Sequence, residues 1–177
     1  MCLVIVISFS RRLRVTDPSA PAERAQYADL LSWLLARIAE TVEVTPPALL
    51  DRAPYEGATA VGAIAAHVHG ATVAWALGIG AGQDVSRNRV AEFASSGVPA
   101  AELAAALRSL ASQIESALSA LDPVRLDEVV TPTKALFGEG EPHAMPRRRG
   151  FASAIRHCAI HLGHLEMTAD LLRAQAT

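Results

Sequence analysis

The chain lacks paired cysteines, blocks of basic charge, a membrane-length apolar run at its start, and any credible β-strand pattern. Cys2 and Cys158 are its only cysteines, far apart and in unlike contexts. They permit neither a paired-cysteine metal spacing nor a disulfide framework, so a reducing, cytoplasmic setting is expected. Net charge is −2, and the 16 basic residues are scattered apart from Arg147-Arg148-Arg149. That distribution leaves no electrostatic footprint for nucleic acid. The opening run Met1 to Phe9 is apolar but falls short of the about 20 residues a bilayer requires, so no membrane association is expected. Arg11, Arg12 and Arg14 follow the run instead of preceding it, which argues against a secretory signal. Residues 1–20 are therefore expected to form a poorly ordered tail. A lone strand, or residues translated from a start upstream of the true one, are the alternatives.

What is present is helical. With 177 residues and 51% hydrophobic content, one domain over residues 21–177 can bury a substantial core. Asp17-Pro18-Ser19-Ala20-Pro21 carries capping and first-turn residues, and Leu30, Leu31, Leu34, Leu35 and Ile38 then recur at helical spacing from Ala22 to about Val42. Tyr27 and Trp33 are expected in or beside the core. A second helix is predicted from about Ala58 to Leu77, apolar almost all round. Gly78-Ile79-Gly80-Ala81-Gly82 reads as its terminator, because no strand precedes these glycines and no Lys-Ser/Thr pair follows, as a phosphate loop would need. The connection to Gly97 is polar, with one turn around Val90 to Phe93. Pro99 opens a third helix whose seam is Leu103, Leu107, Leu110, Ile114, Leu118 and Leu121, ended by Asp122-Pro123. A long connection, Val124 to Arg149, holds His143, read as solvated, and Leu126, Val129 and Val130, which can dock on the helices. A fourth helix runs from about Gly150 to Arg173, with Cys158 inside its apolar stripe as a small buried hydrophobe. Four such helices without a sheet specify an all-α bundle.

Histidine placement carries the chemistry. Half of the six histidines fall within Arg156 to His164. His157, His161 and His164 occupy roughly 60° of one helix face, so two imidazoles a turn apart can reach one metal ion from a rigid element. His157 with His161 is one candidate pair and His161 with His164 the other. On the second helix His67 borders the apolar face, while His69 projects about 200° from it and points away. An inward histidine facing a one-turn pair on another helix supplies three neutral nitrogens and leaves a coordination position open.

His67 with Trp75 eight residues on, followed by His157-x-x-x-His161-x-Gly163-His164, resembles the DinB-like family of metal-binding four-helix bundles. The family includes damage-inducible proteins of unknown activity and thiol S-transferases, among them mycothiol-dependent maleylpyruvate isomerase. The resemblance spans about Pro21 to Arg173. It implies an up-down-down-up bundle with a long crossover after the second helix. It also implies His67, His157 and His161 as metal ligands, with His164 in the place usually held by Gln, as a substrate-contacting or outer-sphere donor. Two departures stand out. Ala169 and Asp170 occupy positions where members often carry Arg, and Gly70, Ala71 and Thr72 fill the place of an acidic residue often found shortly after the helix-two histidine.

The implied function is metal-dependent transfer of a low-molecular-weight thiol, of mycothiol or bacillithiol type, to a small electrophile. The implied ion is zinc, with nickel or another divalent ion as alternatives. Hydrolysis by a metal-bound hydroxide is a second reading, and a non-catalytic helical dimer with a structural or vestigial metal is a third. A second copy of the chain is the one macromolecular partner expected.

Overall fold

The computed structural model describes residues 20–176. The tail expected over residues 1–20 lies outside them, apart from Ala20, which begins the first helix. The described chain is mostly helical. α1 spans Ala20–Glu43 and buries Leu31, Leu34, Leu35, Ile38 and Val42 along one stripe. Leu30 and Trp33, expected on the core side, are instead 48% and 58% exposed. The stripe is already complete without them, and Trp33 stands roughly opposite its centre on the helix wheel. Tyr27 does reach the core edge, its ring stacked 5.5 Å from that of Phe151.

A short helix, α2 (Pro47–Leu50), tucks Leu49 and Leu50 inward. α3 (Val61–Thr72) then passes directly into a π-helix, Val73–Ala81, which stops at Gly82 with φ 75°. Gly78 and Gly80 thus lie inside a helix and do not end it. The reason is the neighbour: a Cβ on Gly150 would stand 2.7 Å from both the Gly80 nitrogen and the Trp75 carbonyl oxygen. Backbone meets backbone there, and only hydrogen fits between. The last carbonyls of the π-helix are not left open, since Arg147 Nη1 donates to the Ile79 oxygen at 3.1 Å. Val61–Ala81 is long and apolar enough to cross a membrane by length and composition alone, yet 67% of that window is buried inside the protein. Its all-round apolarity is that of a core helix.

α4 (Arg89–Phe93) follows, with the Asn88 side chain accepting from the Ala91 amide as its N-cap. α5 (Ala100–Ala120) buries Leu107, Leu110, Ile114 and Leu118 as its spacing predicts. The long connection is more structured than expected. A 3₁₀ turn over Pro123–Asp127 buries Leu126, β1 (Val129–Val130) pairs antiparallel with β2 (Met145–Pro146), and α6 (Lys134–Phe137) lies between. α7 (Arg148–Ala176) closes the chain.

One apolar cluster joins the four long segments. α1 lies against α5 and α7, and α3 lies against α7 and α5. Arg24 at the start of α1 donates to the Leu118 and Leu121 carbonyls at the end of α5, while Glu43 at the other end of α1 pairs with Arg108. Arg148 pairs with Glu23 and Arg37 with Glu166. Two of the three clustered arginines, Arg147 and Arg148, are therefore held by carboxylates, Arg147 through Glu128.

Candidate metal centre

His67 leaves α3 where the helix is flanked by small residues, and its side chain enters the α3–α7 interface. It is 5% exposed. His157 and His161 lean toward it from successive turns of α7. The three rings are mutually close, with centroids 4.9 Å apart for His67 and His157, 5.0 Å for His67 and His161, and 4.4 Å for His157 and His161. One nitrogen from each lies within 4.8 Å of the others, an arrangement that could hold a metal ion. Nitrogens around a tetrahedral zinc stand about 3.4 Å apart, so small side-chain rotations close the remaining difference.

Hydrogen bonding decides which atoms face inward. His67 Nδ1 contacts Glu92 Oε2 at 2.8 Å, and because an ionised carboxylate only accepts, His67 Nδ1 carries the proton. Its Nε2 is then a bare lone pair, pointing at His157 Nε2 3.1 Å away. Nδ1 of His157 and Nδ1 of His161 are buried and have no hydrogen-bond partner. Orphaned nitrogens at a buried cluster are uncommon in a site that serves packing alone, and an imidazole donor set suits zinc or a similar divalent ion.

The electrostatics keep the rings neutral. Burial, followed by the neighbouring His161 and His67, pushes His157 down to about 3. Burial and then His67 and His164 push His161 down to about 4. Burial also lowers His67, against the opposing pull of Glu92. Glu92 itself is raised by burial but brought below its ordinary value by hydrogen bonds from Arg87 and His67, so it stays ionised. Neutral imidazoles are the form a cation needs.

Glu92 is the residue that sequence reasoning missed. The acid absent from the turn after His67 is supplied by α4, 25 residues on, and Arg87 fixes it from the other side through Nε to Oε1 at 2.8 Å and Nη2 to Oε2 at 3.0 Å. Phe93 stacks on the His67 ring with centroids 4.4 Å apart. Gly70 makes the approach possible, since a Cβ there would stand 2.1 Å from Glu92 Oε1. A glycine one turn past an inward histidine was the sole sequence sign that something packs over that turn.

His164 sits outside the cluster. It is exposed, its ring is 6.0 Å from that of His161, and that ring makes no hydrogen bond among the described residues. His69 turns away from the three rings, as its wheel position implies, into a shallow cleft beside Ser86, Asn88 and Ser95. His143 is exposed near Phe137. Cys158 is fully buried against Thr72 Oγ1 at 3.2 Å, and burial pushes its thiol up to about 11, which makes it inert packing.

A pocket of about 350 Å³ opens beside the three histidines, walled by Trp75 of the π-helix, Phe93 of α4 and Phe137 of the long connection. Residues 14–165 match the DinB superfamily. The chain belongs to the DinB superfamily. The matched residues include His67, His157, His161 and His164. The DinB match begins within the segment expected as a tail. No curated protein sequence matches the chain.

Proposed function

We propose that His67, His157 and His161 hold one divalent ion, zinc or a close relative, and that the protein transfers a low-molecular-weight thiol to a small electrophile bound in the adjoining pocket. The observation that carries this reading is the convergence of three neutral histidines, one buried and two half-buried, the first already oriented by a carboxylate, on the wall of a small-molecule-sized cavity. Bound there, a divalent ion supplies the Lewis acidity that lets a thiol ionise near neutral pH. The chain does the rest. Glu92 sets the tautomer and direction of His67, with Arg87 holding Glu92 in place. Phe93 covers the outer face of His67 and keeps water from it. Phe137 and Glu139, from the long connection, complete the pocket over the π-helix and shape what enters.

The reading includes the up-down-down-up course of the DinB bundle, with residues 21–177 acting as one unit in the cytoplasm and a second copy as candidate partner. End-to-end contacts support that course. Arg24 meets the end of α5, Glu43 meets Arg108 nearer its start, and Glu23 and Arg37 meet Arg148 and Glu166 in the same order along α7.

The test is metal analysis of the purified chain, followed by conjugation of several thiols to one generic electrophile, monochlorobimane, with and without chelator. Stoichiometric metal and chelator-sensitive, thiol-selective conjugation are expected. A chain that retains no ion after zinc loading, or conjugates at the uncatalysed rate, overturns the proposal.

A further inference from the structure

Three arginines line the pocket, and they differ in what neutralises them. The Arg87 side chain is 3% exposed and both of its hydrogen bonds go to Glu92. Arg89 donates to Glu139 at 2.5 Å and lies 5.0 Å over the Phe93 ring. Arg156 is exposed on the turn of α7 that also carries His157, and it makes no hydrogen bond or ion pair among the described residues. Glu139 is the one carboxylate on the pocket wall and it is occupied by Arg89; Glu92 lies behind the wall, occupied by Arg87 and His67. One guanidinium is therefore left without a counter-charge at a cavity whose histidines bring no negative charge.

Another part of the wall is aromatic. Trp75 and Phe137 stand with ring centroids 5.4 Å apart and their planes tilted by 56°, while the Phe93 ring is already engaged by His67 and Arg89. At about 350 Å³ the cavity lies near the small end of ligand sites, which run from about 300 to 1,000 Å³.

We propose that this pocket binds a small planar carboxylate, with the carboxylate taken by Arg156 and the planar body laid against Trp75 or Phe137. The inference rests on the reading of the cavity as the electrophile site and names the chemistry of its occupant. Arginine suits the task because its planar fork matches a carboxylate bidentately, and aromatic walls hold a flat body at little entropic cost.

Benzoate and its neutral isostere benzamide are the probes, titrated calorimetrically into the full chain in metal-free and zinc-loaded forms. The metal-free arm removes direct coordination of the carboxylate as an explanation. Benzoate is expected to bind the metal-free chain at least about tenfold more tightly than benzamide, the effect of one charge-assisted pair. Arg156→Gln should lower benzoate affinity about tenfold with benzamide unchanged, and Arg156→Glu should abolish benzoate binding. Position 156 is exposed, and an unaltered circular dichroism spectrum verifies folding of both variants. Equal affinity for the two probes, no benzoate binding, or benzoate binding indifferent to Arg156→Gln overturns the proposal. A chain that takes up no zinc yet binds benzoate through Arg156 defeats the thiol-transfer reading and leaves this one standing. A chain that conjugates thiols but fails the benzoate arms does the reverse.

Discussion

The α1–α5 interface and the α3–α7 interface belong to one core but are built on different terms. Between α1 and α5, Leu34, Ile38, Leu107, Leu110 and Ile114 interleave as branched aliphatics, and polar groups meet only at the ends, through Arg24 and Glu43. Between α3 with the π-helix that continues it and α7, backbone touches backbone at Gly80 and Gly150, and three histidines with two unpartnered nitrogens sit where leucines would otherwise pack. The first interface is stabilising and chemically silent. The second gives up apolar contact for a cluster of imidazoles, which is where function is expected in a molecule otherwise optimised for burial.

Substitutions on the two sides should fail differently. His157→Ala is expected to reduce bound metal below about a tenth of a stoichiometric load, read by elemental analysis, with folding preserved. Ile114→Ala, at a fully buried position of the other interface, should cost about 2–5 kcal/mol in denaturant melts yet keep its full metal load. Equal metal loss in both would erase the distinction. Next in size is Gly150→Ala. The added methyl meets backbone atoms that cannot rotate aside, so a loss comparable to a core truncation is expected together with weaker metal retention. By contrast Gly163→Ala, where a Cβ meets nothing within 4 Å, should stabilise the helix by about 0.5–1 kcal/mol.

Glu92→Gln probes the support of His67 and should weaken metal affinity about 10–100-fold in chelator competition, with little change in thermal stability of the metal-free chain. Gly70→Ala, which displaces the same carboxylate, should act in the same direction. If both variants hold zinc as tightly as the unaltered protein, the carboxylate has no role in ligation.

Acid offers a subtler contrast. In the metal-free chain burial holds His157 near 3 and His161 near 4, whereas unfolding returns both to the ordinary value near 6.5. Below 6.5 the unfolded chain binds more protons than the folded one. Stability from these two groups is therefore complete above pH 6.5 and declines as pH falls toward 4 and then 3. A doubly substituted chain, His157→Ala with His161→Ala, should show a flatter fall in melting midpoint between pH 6.5 and 4. An identical slope would mean that the two rings are protonated in the folded state. The smallest effect is expected for His164→Gln: metal content unchanged, with only thiol or substrate affinity shifted. Metal lost from that variant and kept by His157→Ala would move the site one turn toward the C-terminus.

Periodicity and small-residue chemistry carried the sequence a long way. Four helical segments, the buried seam of α5, the inward turn of His67 and the outward turn of His69 all follow from spacing along single helices, because a helix places residues three, four and seven apart on one face whatever surrounds it. Spacing left His157 with His161 and His161 with His164 as equal candidates, and only the family resemblance chose the first pair. Trp33 escaped that logic, since hydrophobicity alone does not say which face is already full. Gly78 and Gly80 escaped it too: a glycine pair reads as a terminator until a second backbone is found against it. Glu92, Arg87, Phe93 and Arg156 were beyond spacing altogether. Three of them arrive from a polar crossover whose path is set by docking onto α3, and Arg156 acquires meaning only from the carboxylates that reach its neighbours and not itself. Local patterning determined which side chains face inward; long-range packing decided what they face, because contacts between segments dozens of residues apart leave no period in the chain.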